Sequence, residues 1–300
     1  MFYTKQPMIQ YSIKDLEQLT GIKAHTIRIW EKRYQLIEPE RTSTNIRFYS
    51  DNDLKRLLNV SILNRNGLKI STIVTMCNEE INERIIEISE TSHDSDNQIE
   101  QLIVAMIELD EHRFERILST SVIKIGFDDT VVKVLYPFFE KIGILWQIGT
   151  IYPAQEHFVS NLLRQKLIIA IDGQSGNARP DSKCFLIFLP SNEWHELGLL
   201  FFNYLIKKSG YKVIYLGQSV PFEDLVEVSG KHKVDYLFTS ITTPLTRKKY
   251  AEYIHQLSTS FESQKIYITG YQTHEHPVDL PENVLLAGSP TDFMAKIKNL

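Results

Sequence analysis

Cysteine is scarce in this chain, and long apolar runs are absent from it. Only two cysteines occur among 300 residues, Cys77 and Cys184, and they lie far apart with no paired spacing. This pattern argues against a disulfide framework and against a thiolate cage for a metal ion. No apolar run approaches the roughly 20 residues that span a bilayer. Residues 1–5 contain no apolar signal core, so we expect a cytoplasmic protein with no membrane partner.

Basic charge is concentrated near the amino terminus. The whole chain has a net charge of −4, yet residues 1–70 hold 12 Lys and Arg against 7 Asp and Glu. The acidic excess therefore lies in the remaining residues. A basic end on an acidic body predicts that the basic end binds nucleic acid. A solvated charged face is the alternative, and it would suit a basic helix that stood alone.

The basic helix does not stand alone. Its cationic residues recur at a helical spacing that gives them one outward face, while apolar and aromatic residues fall on the inward face. The outward residues are Arg28, Lys32 and Arg33, and the inward residues are Ile27, Trp30 and Tyr34. A basic segment that ends at Tyr49 is predicted to form a wing. Upstream, Ser12 and Asp15 have the spacing of a helix cap.

Together these elements resemble the MerR family of bacterial transcriptional regulators over about the first quarter of the chain. The resemblance implies a winged helix-turn-helix head over residues 1–89, which binds a double-stranded DNA operator as a two-fold dimer. Gln35 departs from the family, which usually has Gly there, at the turn into the wing. His25 and Arg28 are expected at base edges. The residues assigned to the DNA-binding surface are Ser12, His25, Thr26, Arg28, Lys32, Arg33, Tyr34, Arg41, Thr42, Asn45, Arg47 and Tyr49.

The rest of the chain divides by its pattern of apolar residues. A short polar stretch at 90–97 is predicted to be a linker that lets the head swing. Four amphipathic stretches, at roughly 98–109, 111–125, 128–147 and 153–171, predict a four-helix bundle over residues 98–174. From 182 to 300, short apolar strands alternate with helices, which predicts a parallel α/β sheet of the flavodoxin-like (Rossmann-like) type. The predicted fold is thus multidomain: an all-α winged head, a helical bundle and an α/β domain. Functional residues are expected at the carboxyl ends of the strands.

One imidazole follows the first predicted strand. His195 lies where a helix begins, and Glu193 is near enough to orient its ring. Such a pair suits a borderline transition metal, although a partly exposed histidine at a helix start is the plainer explanation. The spacing Glu-x-His-x-x-Gly, which ends at Gly198, is similar to the Asp-x-His-x-x-Gly signature of cobalamin-binding domains. In those domains this histidine replaces the cofactor's own base beneath cobalt, so the resemblance makes His195 a metal ligand.

Two further signatures of the cobalamin-binding domains can be compared. The segment Ser240-Ile241-Thr242 matches the Ser-x-Thr that follows their third strand. Their fourth strand is followed by a Gly-Gly pair that leaves room for the nucleotide tail, and here Gly270 is followed by Tyr271. A tyrosine at that position would narrow the channel.

The predicted bundle carries a separate resemblance. Trp146 is followed after nine residues by Glu156 and His157, a spacing that is similar to that of the CarH-like photoreceptors within the MerR family. There the tryptophan covers the upper face of adenosylcobalamin, and the Glu-His pair surrounds the adenosyl group. The photoreceptors place a histidine directly after the tryptophan, whereas this chain has Gln147, a poor cobalt ligand. The resemblance therefore does not extend to that route of light sensing.

The combined interpretation is a non-enzymatic DNA-binding regulator that is controlled by a cobalamin held between bundle and sheet, as a dimer or higher homo-oligomer. RNA polymerase is a candidate further partner. One alternative keeps the regulator but makes the carboxyl-terminal half a degenerate cobalamin-like domain that serves oligomerisation or partner binding. Another is a cobalamin-dependent methyltransferase component, although no substrate-binding barrel accompanies the unit. The residues expected at the cofactor are Trp146, Glu156, His157, Glu193, His195, Gly198, Ser240, Thr242 and Gly270.

Overall fold

The computed structural model describes residues 11–42, 44–91, 95–147, 152–298 and 300. The chain forms two compact units, of which the first ends at Val159 and the second begins at Ser160. The first unit contains the predicted head and most of the predicted bundle. The second contains the sheet.

Two short helices form the helix-turn-helix. Helix α1 (Ile13–Thr20) begins at Ser12, whose Oγ accepts a hydrogen bond from the Asp15 N–H while the Asp15 carboxylate accepts one from the Ser12 N–H. This reciprocal cap satisfies amide groups that have no partner within the helix. Helix α2 (Ala24–Tyr34) ends at Gln35, which has a left-handed φ of 50°. The predicted cap and helix are confirmed, and Gln35 takes the backbone conformation that glycine adopts most easily.

A small hairpin follows α2 and forms the wing. Strands β1 (Glu40–Arg41) and β2 (Arg47–Phe48) pair in antiparallel register. Asn45 has a left-handed φ of 64°, and its side-chain oxygen accepts a 2.7 Å hydrogen bond from Arg41. The exposed Arg41 side chain therefore also stabilises the turn of the wing.

The head is completed by three further helices. They are α3 (Asp51–Arg65), α4 (Ile70–Ile73) and α5 (Asn78–Thr91). A second reciprocal cap, between Ser50 and Asp53, starts α3. Buried leucines of α3, among them Leu54, Leu57 and Leu58, supply much of the core of the head.

The structure differs from the predicted linker at 90–97 at both of its ends. Its first two residues belong to α5, and residues 95–97 form the first turn of helix α6 (Ser95–Glu108). Asn97 is buried and accepts a hydrogen bond from Arg65 at the end of α3. A helix start that packs on the head cannot act as a free tether, so the expected swing of the head about this segment is not supported. Residues 92–94 of the predicted linker lie outside the described residues.

The helices expected after the head are present. Helices α7 (Glu111–Ile125) and α10 (Pro153–Asp172) match two predicted stretches closely. The stretch predicted at 128–147 is divided into α8 (Phe127–Thr130), a π-helical turn (Val131–Leu135) and α9 (Tyr136–Gln147). A π-turn inserts one extra residue per turn, which an apolar periodicity of 3.6 does not reveal. Because α10 continues from the first unit into the second, the two units share this helix.

The second unit contains a five-stranded parallel sheet with the order β4-β3-β5-β6-β7. This is the flavodoxin-like order, so the predicted fold class is confirmed. The strands are β3 (Cys184–Pro190), β4 (Lys212–Val220), β5 (Tyr236–Ser240), β6 (Lys265–Thr269) and β7 (Val284–Leu286). The helices are α11 (Glu196–Lys208), α12 (Phe222–Lys231), α13 (Arg247–Ser260), α14 (Gln272–Glu275) and α15 (Pro290–Ile297).

Both faces of this sheet are covered, which explains its continuous apolar strands. On one face Phe202 of α11 and Phe293 of α15 pack against Phe238, with ring centroids 4.7 and 5.0 Å from it. On the other, Leu237 and Ile254 belong to the aliphatic cluster beneath α12 and α13. Among the residues that the structure describes, no helix is long and apolar enough to cross a membrane.

Candidate functional site

The exposed side of α2 forms one continuous stripe. Its members are spaced three or four residues apart, and they are His25, Arg28, Ile29, Lys32 and Arg33. Ile27 and Trp30 face the opposite way and are buried. The structure thus brings together the predicted base-reading and phosphate-binding side chains of the helix. Cations on an exposed helix face are the usual means by which such a helix holds the DNA backbone.

The cations of the wing are held in different ways. Arg41 is exposed at the turn, where it binds the Asn45 side chain. Arg47 forms a 3.2 Å ion pair with Glu31 of α2, so it ties the wing to the recognition helix. Both remain candidates for phosphate contacts, and Arg41 is the more accessible of the two.

Tyr49 does not have the role expected of it. Its side chain is fully buried, its backbone pairs with that of Tyr11, and its hydroxyl donates to Glu31 over 3.3 Å. Burial and the nearby Glu31 carboxylate raise the pKa of this hydroxyl to about 12. A buried, engaged hydroxyl cannot reach DNA, so Tyr49 supports the wing instead of contacting the operator.

The remaining predicted DNA residues lie around the stripe. Ser12 is exposed at the start of α1, where its hydroxyl also caps the helix. Thr26 and Thr42 are partly buried. The Arg33 guanidinium carbon lies 5.4 Å from the centre of the Tyr34 ring. Such a cation-π contact steadies a long cationic side chain before it meets DNA.

The second site lies at the carboxyl edge of the parallel sheet. His195 immediately precedes α11, its side chain is 59% exposed, and its Nδ1 lies 2.5 Å from Oε1 of Glu193. Glu193 itself is buried. The same Oε1 accepts hydrogen bonds from the backbone N–H groups of Trp194 and His195. The predicted His–Glu pair is therefore formed.

The second oxygen of Glu193 reaches across the sheet edge. Oε2 accepts hydrogen bonds of 2.7 Å from the N–H groups of both Thr242 and Thr243. Burial alone would raise the pKa of Glu193, but the hydrogen bonds from His195, Thr243 and Thr242 outweigh it and hold the pKa at about 2. An ionised carboxylate on Nδ1 fixes the imidazole tautomer and leaves Nε2 as the nitrogen suited to a metal.

Residues after β5 and β6 shape the neighbouring edge. Ser240 is buried at the end of β5. Gly270 follows β6 with a φ of 101°, and a Cβ added there would lie 2.4 Å from the Ile241 carbonyl oxygen. Side-chain atoms are excluded at such a distance, so this position requires glycine. Gln272, which is buried, donates to the Thr242 carbonyl and thereby ties the two loops together.

Tyr271 is exposed at this edge. Its ring is 55% exposed, and its hydroxyl donates over 3.0 Å to Glu275 one turn further along α14. That hydrogen bond, the largest influence on the group, raises the pKa of the hydroxyl. The ring is thus held by a local partner on α14 instead of being part of the buried core.

A glycine near the imidazole faces open space. Gly198 lies in the first turn of α11, and a Cβ added to it would meet no atom within 4 Å. The first turn of α11 is therefore open at Gly198. Among the residues that the structure describes, no three His, Cys, Asp or Glu side chains gather to hold a bare metal ion. One imidazole therefore fits a metal that arrives with its other ligands, as cobalt does in a corrin ring.

The predicted bundle contacts are only partly described. Trp146 and Gln147 end α9, but their side chains lie outside the described residues. Glu156 and His157 stand in the first turns of α10, with His157 Nδ1 at 3.4 Å from a Glu156 oxygen. Both remain accessible, and His157 is the more exposed.

A network beside His195 was not anticipated from the sequence. Glu196 accepts hydrogen bonds from Tyr215 at 3.0 Å and Gln218 at 3.1 Å, and it forms a 3.1 Å ion pair with Arg164 of α10. Burial, followed by the charge of Glu196, raises the pKa of Tyr215. The only sequence signal was the acidic residue directly after His195, because its partners come from a distant strand and another helix.

The two sites together define a class of protein. A recognition helix with a wing is suited to binding DNA, and a sheet edge that presents a held imidazole is suited to binding a ligand. This combination is that of a ligand-responsive transcriptional regulator.

Two segments of the chain match the models of known protein families. Residues 11–80 match the model of the MerR HTH family regulatory protein, and residues 98–170 match the B12 binding domain. The predicted recognition is confirmed. The match to a MerR-type head and the similarity to transcriptional repressors support a regulator over the alternative of a methyltransferase component.

Two transcriptional repressors are similar to this chain over most of their length. The HTH-type transcriptional repressor CarH of Myxococcus xanthus is 29% identical over 222 residues, which cover 72% of this chain and 73% of CarH. The repressor CarA of the same organism is 23% identical, with 88% of each chain covered. Among solved structures, the monomethylamine corrinoid protein of Methanosarcina barkeri has a TM-score of 0.48 and 16% identity, covering 72% of this chain and 97% of the corrinoid protein.

Proposed function

We propose that this chain represses transcription by binding an operator with an affinity set by bound cobalamin, and that His195 is the residue that would bind its cobalt. The observation that carries the proposal is the His195–Glu193 pair, in which a buried carboxylate engages Nδ1 and so directs Nε2 to the metal. The naming of the relatives CarH and CarA as repressors motivates repression as the direction of control.

Several residues of the sheet edge would hold the cofactor. The cofactor, when bound, would supply a cobalt ion that an imidazole of this chain can ligate. Glu193 keeps the imidazole in one tautomer, and the space beside Gly198 admits the flat ring. We assign Ser240, Thr242 and Gly270 to the channel of the nucleotide tail, since Gly270 allows the two loops to approach without a side chain between them.

We further propose that the cofactor is adenosylcobalamin. Trp146, Glu156 and His157 have the spacing that accompanies the adenosyl group in related regulators, and an exposed Glu–His pair on α10 can donate and accept hydrogen bonds with a ribose or a purine. In this proposal Trp146 covers the apolar upper face of the ligand.

Contacts within the first unit support a route from bundle to DNA. Helix α6 lies within the matched B12 binding domain, and its Glu100 forms a 2.8 Å ion pair with Arg65 at the end of α3. Ser61 of α3 contacts Glu100 and also donates to the carbonyl of Thr20, the last residue of α1. A shift of α6 would therefore be felt at the helix-turn-helix.

The proposed assembly is a homo-oligomer, a dimer or a higher form, because MerR-type heads read paired half-sites. Cobalamin would set the state of assembly and thereby the operator affinity. RNA polymerase is a candidate further partner at the promoter. All of these events place the protein in the cytoplasm.

Cofactor binding is tested with the purified full chain. It is mixed with adenosylcobalamin in the dark, passed through gel filtration and examined by visible spectroscopy. We expect the cofactor to co-elute, with a spectrum in which an imidazole has replaced the cofactor's own base. His195→Ala should lose that spectral signature, whereas His232→Ala, an exposed histidine at the end of α12, should keep it. Absence of cobalamin from the protein fraction would overturn the proposal.

Control of DNA binding needs a separate measurement. Operator affinity and sedimentation are compared for the apoprotein, the adenosylcobalamin-loaded protein and the loaded His195→Ala variant. We expect a cobalamin-dependent change in both quantities for the wild type and little for the variant. Equal affinities with and without cofactor would instead favour the degenerate-domain alternative, in which the sheet serves only oligomerisation or partner binding.

A further inference from the structure

Ile29 is the single apolar member of the exposed stripe on α2. The other members are polar or charged, namely His25, Arg28, Lys32 and Arg33. Ile29 is nevertheless 52% exposed. An isolated apolar residue is ordinary on a protein surface. The position of Ile29 at the centre of a cationic stripe distinguishes it from such residues.

Helical spacing fixes the surroundings of Ile29. His25 lies one turn before it, and Lys32 and Arg33 lie one turn after it, so all project from the same side. Ile27 and Trp30 point into the core. When the cations of this side approach phosphates, the isoleucine between them is carried towards the floor of the major groove.

The major groove offers one apolar group, which is the C5-methyl of thymine. Of the described residues of α2, Ile29 is the one that is both apolar and strongly exposed, and it cannot hydrogen-bond to a base edge. We propose that Ile29 packs against a thymine methyl and makes the regulator select thymine at one position of each half-site. The inference rests on DNA binding by α2, and it goes beyond the proposed control by cobalamin.

Replacing thymine by deoxyuridine tests this contact directly, since the change removes only the methyl group. The probe is a duplex that the full-length chain selects from a random pool, and its thymines are replaced one at a time. Wild type is expected to lose about fourfold in affinity at one position per half-site, as for the loss of one buried methyl. Replacement at other thymines is expected to have little effect.

The matched variant is Ile29→Ala. It should bind the thymine duplex more weakly than wild type, yet bind thymine and deoxyuridine equally at the sensitive position. Ile29→Val, which keeps a branched methyl surface, should retain a preference for thymine. Ile123→Ala removes an isoleucine that is 85% exposed on α7, and this control should keep the wild-type ratio.

Two results would overturn the assignment. The first is that wild type binds its selected duplex with no sensitive thymine, and the second is that Ile29→Ala retains the full loss on deoxyuridine. The ratio of affinities is measured on one protein preparation, so a variant that is partly unfolded does not alter it. Failure of wild type to select any duplex would overturn DNA binding itself, which distinguishes that outcome from failure of the thymine contact.

Discussion

Arg65 Nη2 lies 2.8 Å from Oε2 of Glu100, whose side chain is only 1% exposed. The pair joins the last turn of α3 to α6. Burial raises the pKa of Glu100 to about 8, against the lowering influence of Arg65. A carboxyl group in this position is easier to bury in its protonated form.

This raised pKa predicts a pH-dependent stability. A carboxyl whose folded-state pKa exceeds its unfolded value near 4.5 stabilises the fold below that value, and the stabilisation is lost as the pH rises through about 8. The free energy of unfolding by urea should thus fall between about pH 5 and pH 8, by more than roughly 1 kcal/mol. Glu100→Gln should abolish most of that fall. Asp96→Asn, which removes a surface partner of the same Arg65, should leave this fall in the free energy of unfolding unchanged. The same dependence of that free energy on pH in all three proteins would refute the prediction.

Glu193→Gln should weaken cobalamin binding without unfolding the sheet domain. The amide keeps one acceptor oxygen but loses the charge that holds the His195 proton on Nδ1, and losses of roughly 10- to 100-fold in metal affinity follow such changes. Equilibrium dialysis with adenosylcobalamin measures the affinity, and circular dichroism checks the fold. Glu262→Gln, an exposed position, serves as the control and should bind as wild type does. Unchanged binding by Glu193→Gln would show that the carboxylate does not orient the ligand.

Gln35→Gly should stabilise the head. Gln35 has a φ of 50°, a conformation that costs a residue with a Cβ up to roughly 1 kcal/mol more than it costs glycine. Thermal unfolding is the measurement. Gln18→Gly makes the same chemical change at an exposed position inside α1, where glycine should destabilise by about 1 kcal/mol. We expect the unfolding temperature to rise in Gln35→Gly and to fall in Gln18→Gly. A fall in both variants would contradict the prediction.

Gly270→Ala should disrupt the sheet domain. The added methyl would lie 2.4 Å from the Ile241 carbonyl oxygen, at a φ of 101°. Separating the two loops would also strain the hydrogen bond that joins the Gln272 N–H to the same carbonyl. We expect a loss of at least roughly 3 kcal/mol, visible in urea unfolding of the full chain. Wild-type stability in this variant would mean that the loops can separate at little cost.

Gly198→Ala should raise the stability of the sheet domain and lower its affinity for the cofactor. The position is helical and its Cβ direction is open, so alanine should stabilise α11 by up to about 1 kcal/mol. The same methyl would occupy space that the flat cofactor needs, and the affinity for adenosylcobalamin should fall. Measuring both quantities on one preparation checks the prediction. An unaltered affinity would place the cofactor elsewhere.

Local patterns were sufficient for much of the fold. The 3.6-residue period of α2 predicted its buried and exposed sides, and apolar strands such as β3 predicted the covered parallel sheet. The pairing of Glu193 with His195 was also predictable, because only one residue separates them at a helix start.

Partners that are distant in sequence were not predictable. Tyr49 was expected to contact DNA because the wing is basic, but burial against Tyr11 and Glu31 depends on contacts with other segments of the head. Glu100 falls within a stretch that the sequence predicts only as an amphipathic helix, because its contacts with Arg65 and Ser61 join residues more than 30 positions apart. Likewise, the second pair of bonds to Glu193 comes from Thr242 and Thr243, about 50 residues away.

The packing of α6 on α3 also determines where this regulator can be cut and rejoined. A chimaera that exchanges DNA-binding heads at residues 92–94 would leave Arg65 without its acidic partner and Glu100 buried without its cation. The exchangeable module therefore extends through α6, and grafts onto other sensor domains should be joined after Glu108. Recombination between related genes would be filtered by the same rule, so heads and their first bundle helix would be inherited together.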